Sequence, residues 1–287
     1  MLVWLNGRVL PAHQARVSAL DRGLLHGDAV YDTWRTYDGE PFAVAAHVRR
    51  LAAAARALQL PSPGAATAWE RRSRMLARRN GLRDAAVRLT ITRGAAGETL
   101  RVERRVRPTL LLTVRALPRD LGAQRSRGVA VTLLPFARTA GAGWSAYKLT
   151  GNAGAVAGRR LADRRGAAEG LYVNAAGEVT EGTTSNLFVV ERGTLVTPPV
   201  TGGILPGVTR TLVIRVARAA GIPVREETIP VARLRRAAEV FVTASTIEVL
   251  PVVRIDGRRV GAGRPGPATV RLGERYAAAV ARVLARG

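Results

Sequence analysis

Tight-turn pairs recur along this chain, and they restrict its fold more than any other feature. Asn6-Gly7 separates Val3-Trp4-Leu5 from Arg8-Val9-Leu10, and Asp38-Gly39 separates the alternating run 30–37 from 40–44. Such pairs accept positive φ at both turn centres, so each predicts an antiparallel hairpin. Residues 171–173 with 178–180, and 187–190 with 194–196, read as two more hairpins. Ala-, Leu- and Arg-rich runs with helical spacing interrupt them at 45–60, 65–79, 153–165, 207–220 and 268–285. Strands and helices mix without strict alternation. That predicts an α+β fold and argues against a doubly wound sheet. The polar, turn-rich stretch 118–128 predicts an interdomain linker at 121–128. It would join a small N-terminal α/β domain (1–120) to a larger C-terminal domain (129–287) that carries the only lysine.

Composition removes several classes of function. At 287 residues, 47% hydrophobic and 23% charged, the chain has ample material for a core. It has no cysteine, hence no disulfide, thiolate metal site or redox motif. His13, His26 and His47 lie far apart, so no metal site is expected. No run approaches the roughly 20 apolar residues that span a bilayer, and the first eight residues lack signal-peptide character. A cytoplasmic chain without a membrane partner is the expectation. The net charge of +24 raises the question of nucleic acid. The arginines are spread through the chain, aromatics make up only 5%, and no finger or RNA-binding motif is present. No specific nucleic-acid partner is expected. The alternative of a different class is an Arg-rich polyanion binder on an inactive enzyme fold.

Of 45 lysines and arginines together, only Lys148 is lysine. Arginine serves wherever a cation suffices, but it cannot give up its proton. A lysine amine can, and it then condenses with a carbonyl to form a Schiff base. A solvated surface position is the commoner fate of a lysine. Here the flanks are small and aromatic, from Gly141 to Trp144 and at Gly151. They point to the amine's chemistry.

A phosphorylated carbonyl cofactor also needs an anion site. Gly202-Gly203-Ile204-Leu205-Pro206-Gly207-Val208-Thr209 runs a glycine-rich loop into a helix, whose first N–H groups suit a phosphate. A pyridine ring needs a carboxylate to keep its nitrogen protonated. Glu181 stands in a run of small polar residues, Gly182-Thr183-Thr184-Ser185-Asn186, before a strand. Each motif alone is also compatible with an ordinary turn.

In this order, Lys148, then Glu181 to Phe188, then Leu205 to Arg210, the motifs resemble the class IV aminotransferases, the fold type IV pyridoxal-phosphate enzymes. That family includes branched-chain aminotransferases, D-amino-acid aminotransferases and aminodeoxychorismate lyases. Asp21-Arg22-Gly23, Gly27-Asp28-Ala29-Val30-Tyr31 and His47-Val48-Arg49-Arg50-Leu51 extend the resemblance over nearly the whole chain. It implies a two-domain α+β fold like that of D-amino-acid aminotransferase, with pyridoxal 5'-phosphate as cofactor. It implies that Lys148 forms the Schiff base and shuttles the proton, Glu181 pairs with the pyridine nitrogen, and Leu205 packs on the ring. Arg50, Val208, Thr209 and Ser245 would hold the phosphate. It further implies a homodimer working on an amino acid and a 2-oxo acid.

Substrate choice is less constrained. Tyr31, Thr33, Arg35, Arg88 and Thr246 fall where relatives bind substrate, with Arg35 and Arg88 as carboxylate receivers. A structural ion pair is the competing account of both arginines. Thr33 replaces a glycine of the branched-chain pattern, and Ala86 and Ala153 stand where those enzymes carry tyrosines. The expected reaction is transamination of an apolar or branched-chain amino acid, with D-amino acids or amines as further substrates. The alternative is an aminodeoxychorismate lyase giving 4-aminobenzoate and pyruvate. Thr33 and Thr92-Arg93-Gly94 favour it, and Ala95-Ala96-Gly97-Glu98 departs from it.

Overall fold

In the computed structural model, which describes residues 1–97, 99–101, 106–138 and 143–285, the chain divides into two units. The first comprises Met1–Leu117 with Tyr147–Asn152, the second Pro118–Ala146 with Ala153–Gly287. Glu98 and Gly141, which entered the sequence reading, lie outside the described residues. The Lys148 segment groups with the first unit, whereas the sequence reading put it in the C-terminal domain.

The first unit is a six-stranded sheet with helices. Its elements are β1 (Leu2–Leu5), β2 (Arg8–Pro11), α1 (Arg22–Leu25), β3 (Ala29–Tyr37), β4 (Glu40–Pro41), α2 (Val44–Ala57), α3 (Ala66–Arg79), β5 (Ala85–Thr92) and β6 (Thr109–Ala116), with sheet order β2-β1-β6-β5-β3-β4. Asn6 (φ 47) with Gly7 (φ 95), and Asp38 (φ 50) with Gly39 (φ 88), make the two predicted turns. Both are left-handed at both centres, as a two-residue hairpin demands. The second hairpin is shorter than expected. Its return strand ends at Pro41, Ala43 takes φ 55, and Val44 starts α2. Val44 belongs to the helical stripe Val44, Val48, Leu51, Ala55, all buried, rather than to a strand alternation begun at Phe42. One face of β3, β5 and β6 supplies Trp34, Val87, Leu89, Ile91, Leu112 and Val114 to a core shared with Leu51, Trp69 and Leu76 from α2 and α3. Alternation sends Tyr31, Thr33, Arg35, Ala86 and Arg88 to the other face.

The second unit contains α4 (Leu121–Arg127), β7 (Val129–Leu133), α5 (Ala153–Arg164), β8 (Glu169–Val173), β9 (Glu178–Gly182), β10 (Asn186–Glu191), β11 (Thr194–Thr197), α6 (Val208–Ala219), β12 (Val224–Glu226), β13 (Ile229–Pro230), α7 (Val231–Arg236), β14 (Glu239–Ala244), β15 (Glu248–Ile255), β16 (Arg258–Arg259) and α8 (Pro267–Leu284). Residues 121–127, read from sequence as linker, are thus helix α4. Only Leu121 of this seven-residue helix is buried, which leaves no apolar stripe to detect. The sheet order is β12-β11-β10-β14-β15-β7-β8-β9-β13, with β16 on β15. A further pairing of β9 with β10 closes six of these strands into a ring, and its register pair is Glu181 with Asn186. Val131, Leu171, Leu187, Val189, Val242 and Val252 fill the core of this sheet. None of the described helices is long and apolar enough to cross a membrane.

Candidate active site

In the first unit the chain around Lys148 lies beside the start of β3. Leu149 bridges Val30 in antiparallel sense, Tyr31 N–H donates to the Lys148 carbonyl (2.9 Å), and Thr150 N–H donates to the Ala29 carbonyl (3.0 Å). The backbone of Lys148 is therefore held in a sheet-like ladder, a rigid mount for a reactive side chain. Its Nζ sits 4.7 Å from the centroid of the Tyr31 ring, and the Arg88 guanidinium carbon sits 3.7 Å from the same centroid. Asn152 Nδ2 donates to the Tyr31 hydroxyl at 3.0 Å. Burial alone would raise the Tyr31 pKa, but the charges of Lys148 and Arg88 and the Asn152 hydrogen bond outweigh it, and the phenol is shifted down. Thr33 pairs in register with Arg88 on the same face of the sheet.

Arg35 does not join this group. Its Nη2 is 3.3 Å from Asp84 Oδ1, its Nε donates to the Thr36 carbonyl, and its guanidinium stacks on Tyr37 at 4.1 Å. Arg88 is the arginine that shares the Tyr31 ring with Lys148. At position 35 the strand has reached the hairpin end, where a tyrosine ring and an aspartate engage the cation.

Arg50 belongs to a buried ionic group behind the same strand. Its Nε and Nη2 donate to the Asp32 carboxylate at 2.9 and 2.7 Å, and His47 Nδ1 lies 2.9 Å from Asp32 Oδ1. Asp32 is fully buried. Burial pushes its pKa up, but Arg50 and His47 prevail and hold it well below the usual carboxylate range. For His47, burial wins over the attraction of Asp32 and the pKa falls, which leaves the imidazole neutral at pH 7. His47 and Arg50 are three residues apart on α2 and so share a face.

In the second unit Glu181 is buried, with 4% of its surface exposed. Its Oε2 accepts from Leu205 N–H (3.1 Å) and Asn186 Nδ2 (3.4 Å), and its Oε1 pairs with Arg138. Asn186 Nδ2 also donates to the Leu205 carbonyl at 2.9 Å, which ties strand, loop and carboxylate together. Gly207 is needed for space: a Cβ there would lie 2.0 Å from Asn186 Oδ1. Its φ of −67 asks nothing special of the backbone. Gly207 is the N-cap of α6, without a side-chain cap and without an acidic residue in the first turn, so no side chain of that turn competes for the leading N–H groups. Thr209 is buried in that turn, Val208 is half-buried, and Leu205 is half-buried beside them. Ser245 and Thr246 form the β14–β15 turn. Two residues earlier the buried Thr243 hydroxyl, across from Asn186, has no hydrogen-bond partner.

These donors fit pyridoxal phosphate. A carboxylate offers about four acceptor positions. Those of Glu181 accept from Leu205 N–H, Asn186 Nδ2 and Arg138, and a ring N–H is a donor of the same kind. An uncapped helix start with a hydroxyl in its first turn suits a phosphate. Sequence reasoning missed Arg138, which has no distinguishing context among so many arginines. It also missed Asp32 and His47, although an acid on the inward side of an alternating strand was a usable signal.

The described geometry agrees with what the chain resembles. Residues 29–255 match the amino-transferase class IV family model, and the chain belongs to that family. It is 35% identical over 280 residues to a Methanocaldococcus jannaschii protein provisionally named a branched-chain-amino-acid aminotransferase, covering 96% of this chain and 95% of that one. It is 31% identical over 275 residues to the D-alanine aminotransferase of Staphylococcus haemolyticus, covering 96% of each. Among solved structures, the branched-chain aminotransferase of Escherichia coli superposes with a TM-score of 0.90 at 29% identity, over 97% of this chain and 94% of that chain. The chain is thus a pyridoxal-phosphate-dependent aminotransferase of mixed α and β structure; solved neighbours hold pyridoxal or pyridoxamine phosphate.

Proposed function

We propose that this enzyme moves the amino group of an apolar, branched-chain-type amino acid to a 2-oxo acid, with Lys148 as the lysine that holds the cofactor. The observation that carries the reading is the Lys148 group: the only lysine in the chain, mounted on a backbone ladder, 4.7 Å from a tyrosine ring that also meets Arg88. Pyridoxal phosphate supplies an electron sink once its ring nitrogen is protonated. Glu181 keeps that proton in place, and Leu205 covers the ring. Arg50, Thr209, Ser245 and the Val208 N–H bind the phosphate. Arg88 receives the substrate carboxylate, with Tyr31, Thr33 and Thr246 around it. Lys148 carries the proton of the substrate Cα, and the Tyr31 phenol, shifted down by two cations, steadies the charge of that amine. The short, apolar side chains of Ala86 and Ala153 suit apolar substrates, at about 0.8 kcal/mol per buried CH₂.

The names of the relatives support a branched-chain substrate, and the D-alanine aminotransferase likeness supports a second reading with D-amino acids. Thr33, in register with Arg88, keeps the lyase in view as a third outcome. A spectral titration of the holoenzyme with L- and D-amino acids separates them. Loss of the violet-edge band with L-leucine or L-valine and no acceptor supports the reading. A response to D-amino acids alone replaces it with the second. No response to any amino acid, with pyruvate released from aminodeoxychorismate, overturns both. The reading includes a homodimer, and a fully active monomer in sedimentation at micromolar concentration would contradict that part.

A further inference from the structure

Glu169 opens β8 as a carboxylate with only 3% of its surface exposed. Among the described residues no arginine, lysine or histidine pairs with it; its partners are neutral donors. Its Oε1 accepts from Gly170 N–H (2.9 Å), Thr183 N–H (3.1 Å) and the Thr183 hydroxyl. Oε2 accepts from Thr184 N–H (3.2 Å), the Thr184 hydroxyl (3.1 Å) and the Ser185 hydroxyl (2.9 Å). Five of these six donors belong to residues 183–185, the turn that links the last residues of β9 to the first of β10. The ends of that turn are Glu181 and Asn186, the pair that closes the strand ring. Gly182 admits no side chain, because a Cβ would lie 2.2 Å from Ser185 Oγ and 2.9 Å from Glu169 Cδ.

We propose that Glu169 is a positioning residue for this transaminase: its carboxylate sets the turn 183–185 and through it the placement of Glu181. The proposal rests on the reading that Glu181 faces the ring nitrogen of the cofactor. The donor set specifies a carboxylate and nothing close to it. Hydroxyls rotate to become acceptors, but backbone N–H groups do not. Each oxygen of Glu169 faces at least one backbone N–H, so a glutamine amide in either orientation sets a donor against a donor. Aspartate is one methylene too short to reach all three turn residues. The run Glu181-Gly-Thr-Thr-Ser-Asn186 thereby acquires a reason for every member: the ends serve the site, the glycine makes room, and the three hydroxyl residues bind Glu169.

A double-substitution cycle tests this, because a residue that acts through Glu181 has nothing to act on once Glu181 is gone. The variants are Glu169→Gln, Glu181→Gln and both together, as full-length protein. The readouts are pyridoxal phosphate affinity by titration of the apoprotein, the pH dependence of the cofactor band, and the thermal midpoint of the apoprotein. The expected result is a loss of affinity of about tenfold or more for Glu169→Gln alone, with a band titration displaced in the direction seen for Glu181→Gln. In the Glu181→Gln background the same change should cost less than about twofold. Equal losses in both backgrounds would make Glu169 a structural residue only and overturn the proposal. A Glu181→Gln enzyme with unchanged affinity and band would instead refute the reading of Glu181, and the proposal with it. Should Glu169→Gln not fold, Thr184→Val removes one hydroxyl donor and leaves the carboxylate. Its smaller loss, about threefold, should likewise vanish in the Glu181→Gln background, and persistence there overturns the proposal.

Discussion

Gly207→Ala adds a single methyl group and, by this account, disarms the cofactor site. The added Cβ would sit 2.0 Å from Asn186 Oδ1 and 3.1 Å from Arg210 Cβ, far inside contact distance for the first. Backbone strain plays no part, since φ at this position is −67. Asn186 must therefore turn away, or the start of α6 must shift. If Asn186 turns, the Leu205 carbonyl loses its 2.9 Å donor and Glu181 loses the Asn186 amide. Leaving a buried group unsatisfied costs about 1–3 kcal/mol, so a combined loss of about 2–3 kcal/mol is expected. At 1.4 kcal/mol per factor of ten, that is roughly a 30- to 150-fold weaker hold on pyridoxal phosphate. The assay is fluorescence titration of the apoprotein with the cofactor. Alanine is also a poorer N-cap than glycine, by about 1 kcal/mol at most. That part is common to any background and is measured by adding Asn186→Ala. With Asn186 shortened, the methyl group has room, and the double variant should bind the cofactor little worse than Asn186→Ala alone. Gly207→Ala binding within twofold of the parent would refute the steric argument. So would a double variant that shows the two losses in full.

Three further outcomes follow from the same geometry. Lys148→Arg keeps the charge and removes the exchangeable amine. The visible band should vanish and turnover fall by about 10³-fold or more, with the apoprotein's thermal midpoint within a few degrees of the parent. Arg88→Met should raise KM for the amino acid by roughly 10- to 100-fold, the worth of a charged hydrogen bond. It should also raise the Tyr31 pKa, read by ultraviolet difference titration, because one of two cations that lower it is gone. Stability should fall with acid in two stages in a urea series. His47 has a folded pKa below its unfolded value of about 6.5, so the unfolded chain takes up the proton first and stability declines as pH drops below roughly 6.5. Asp32, whose folded pKa is depressed, contributes above about 3.9 and loses that contribution as pH falls further. His47→Gln should remove the upper stage and lessen the lower one, because His47 helps to hold the Asp32 pKa down.

What was legible in the sequence was local. Asn6-Gly7 and Asp38-Gly39 announce their hairpins because the turn type is decided by the two residues themselves. The stripe from Val44 to Ala55 announces α2, although its first residue also fits a strand alternation and was misassigned for that reason. Helix α4 was hidden because a seven-residue helix with one buried side chain carries no periodic signal. The ring closure between Glu181 and Asn186 is a tertiary pairing, and no spacing rule foretells which two strands will meet. Lys148 stood out by its rarity, and arginines were obscured by their number. Arg35 and Arg88 look alike in an alternating strand, yet one stacks on Tyr37 beside Asp84 and the other on Tyr31 beside Lys148. Arg138, which meets Glu181, had no mark at all.

The central claim is that Lys148 holds the cofactor, and borohydride reduction of the holoenzyme followed by peptide mass mapping tests it most directly. Reduction makes the cofactor's bond to an amine permanent. The chain offers one lysine and one terminal amine, so the map has few possible answers. The account predicts a phosphopyridoxyl mass on the single peptide that contains Lys148, with the visible band lost on reduction. A label confined to the N-terminal peptide would contradict it, as would a protein that takes up pyridoxal phosphate with no reducible bond.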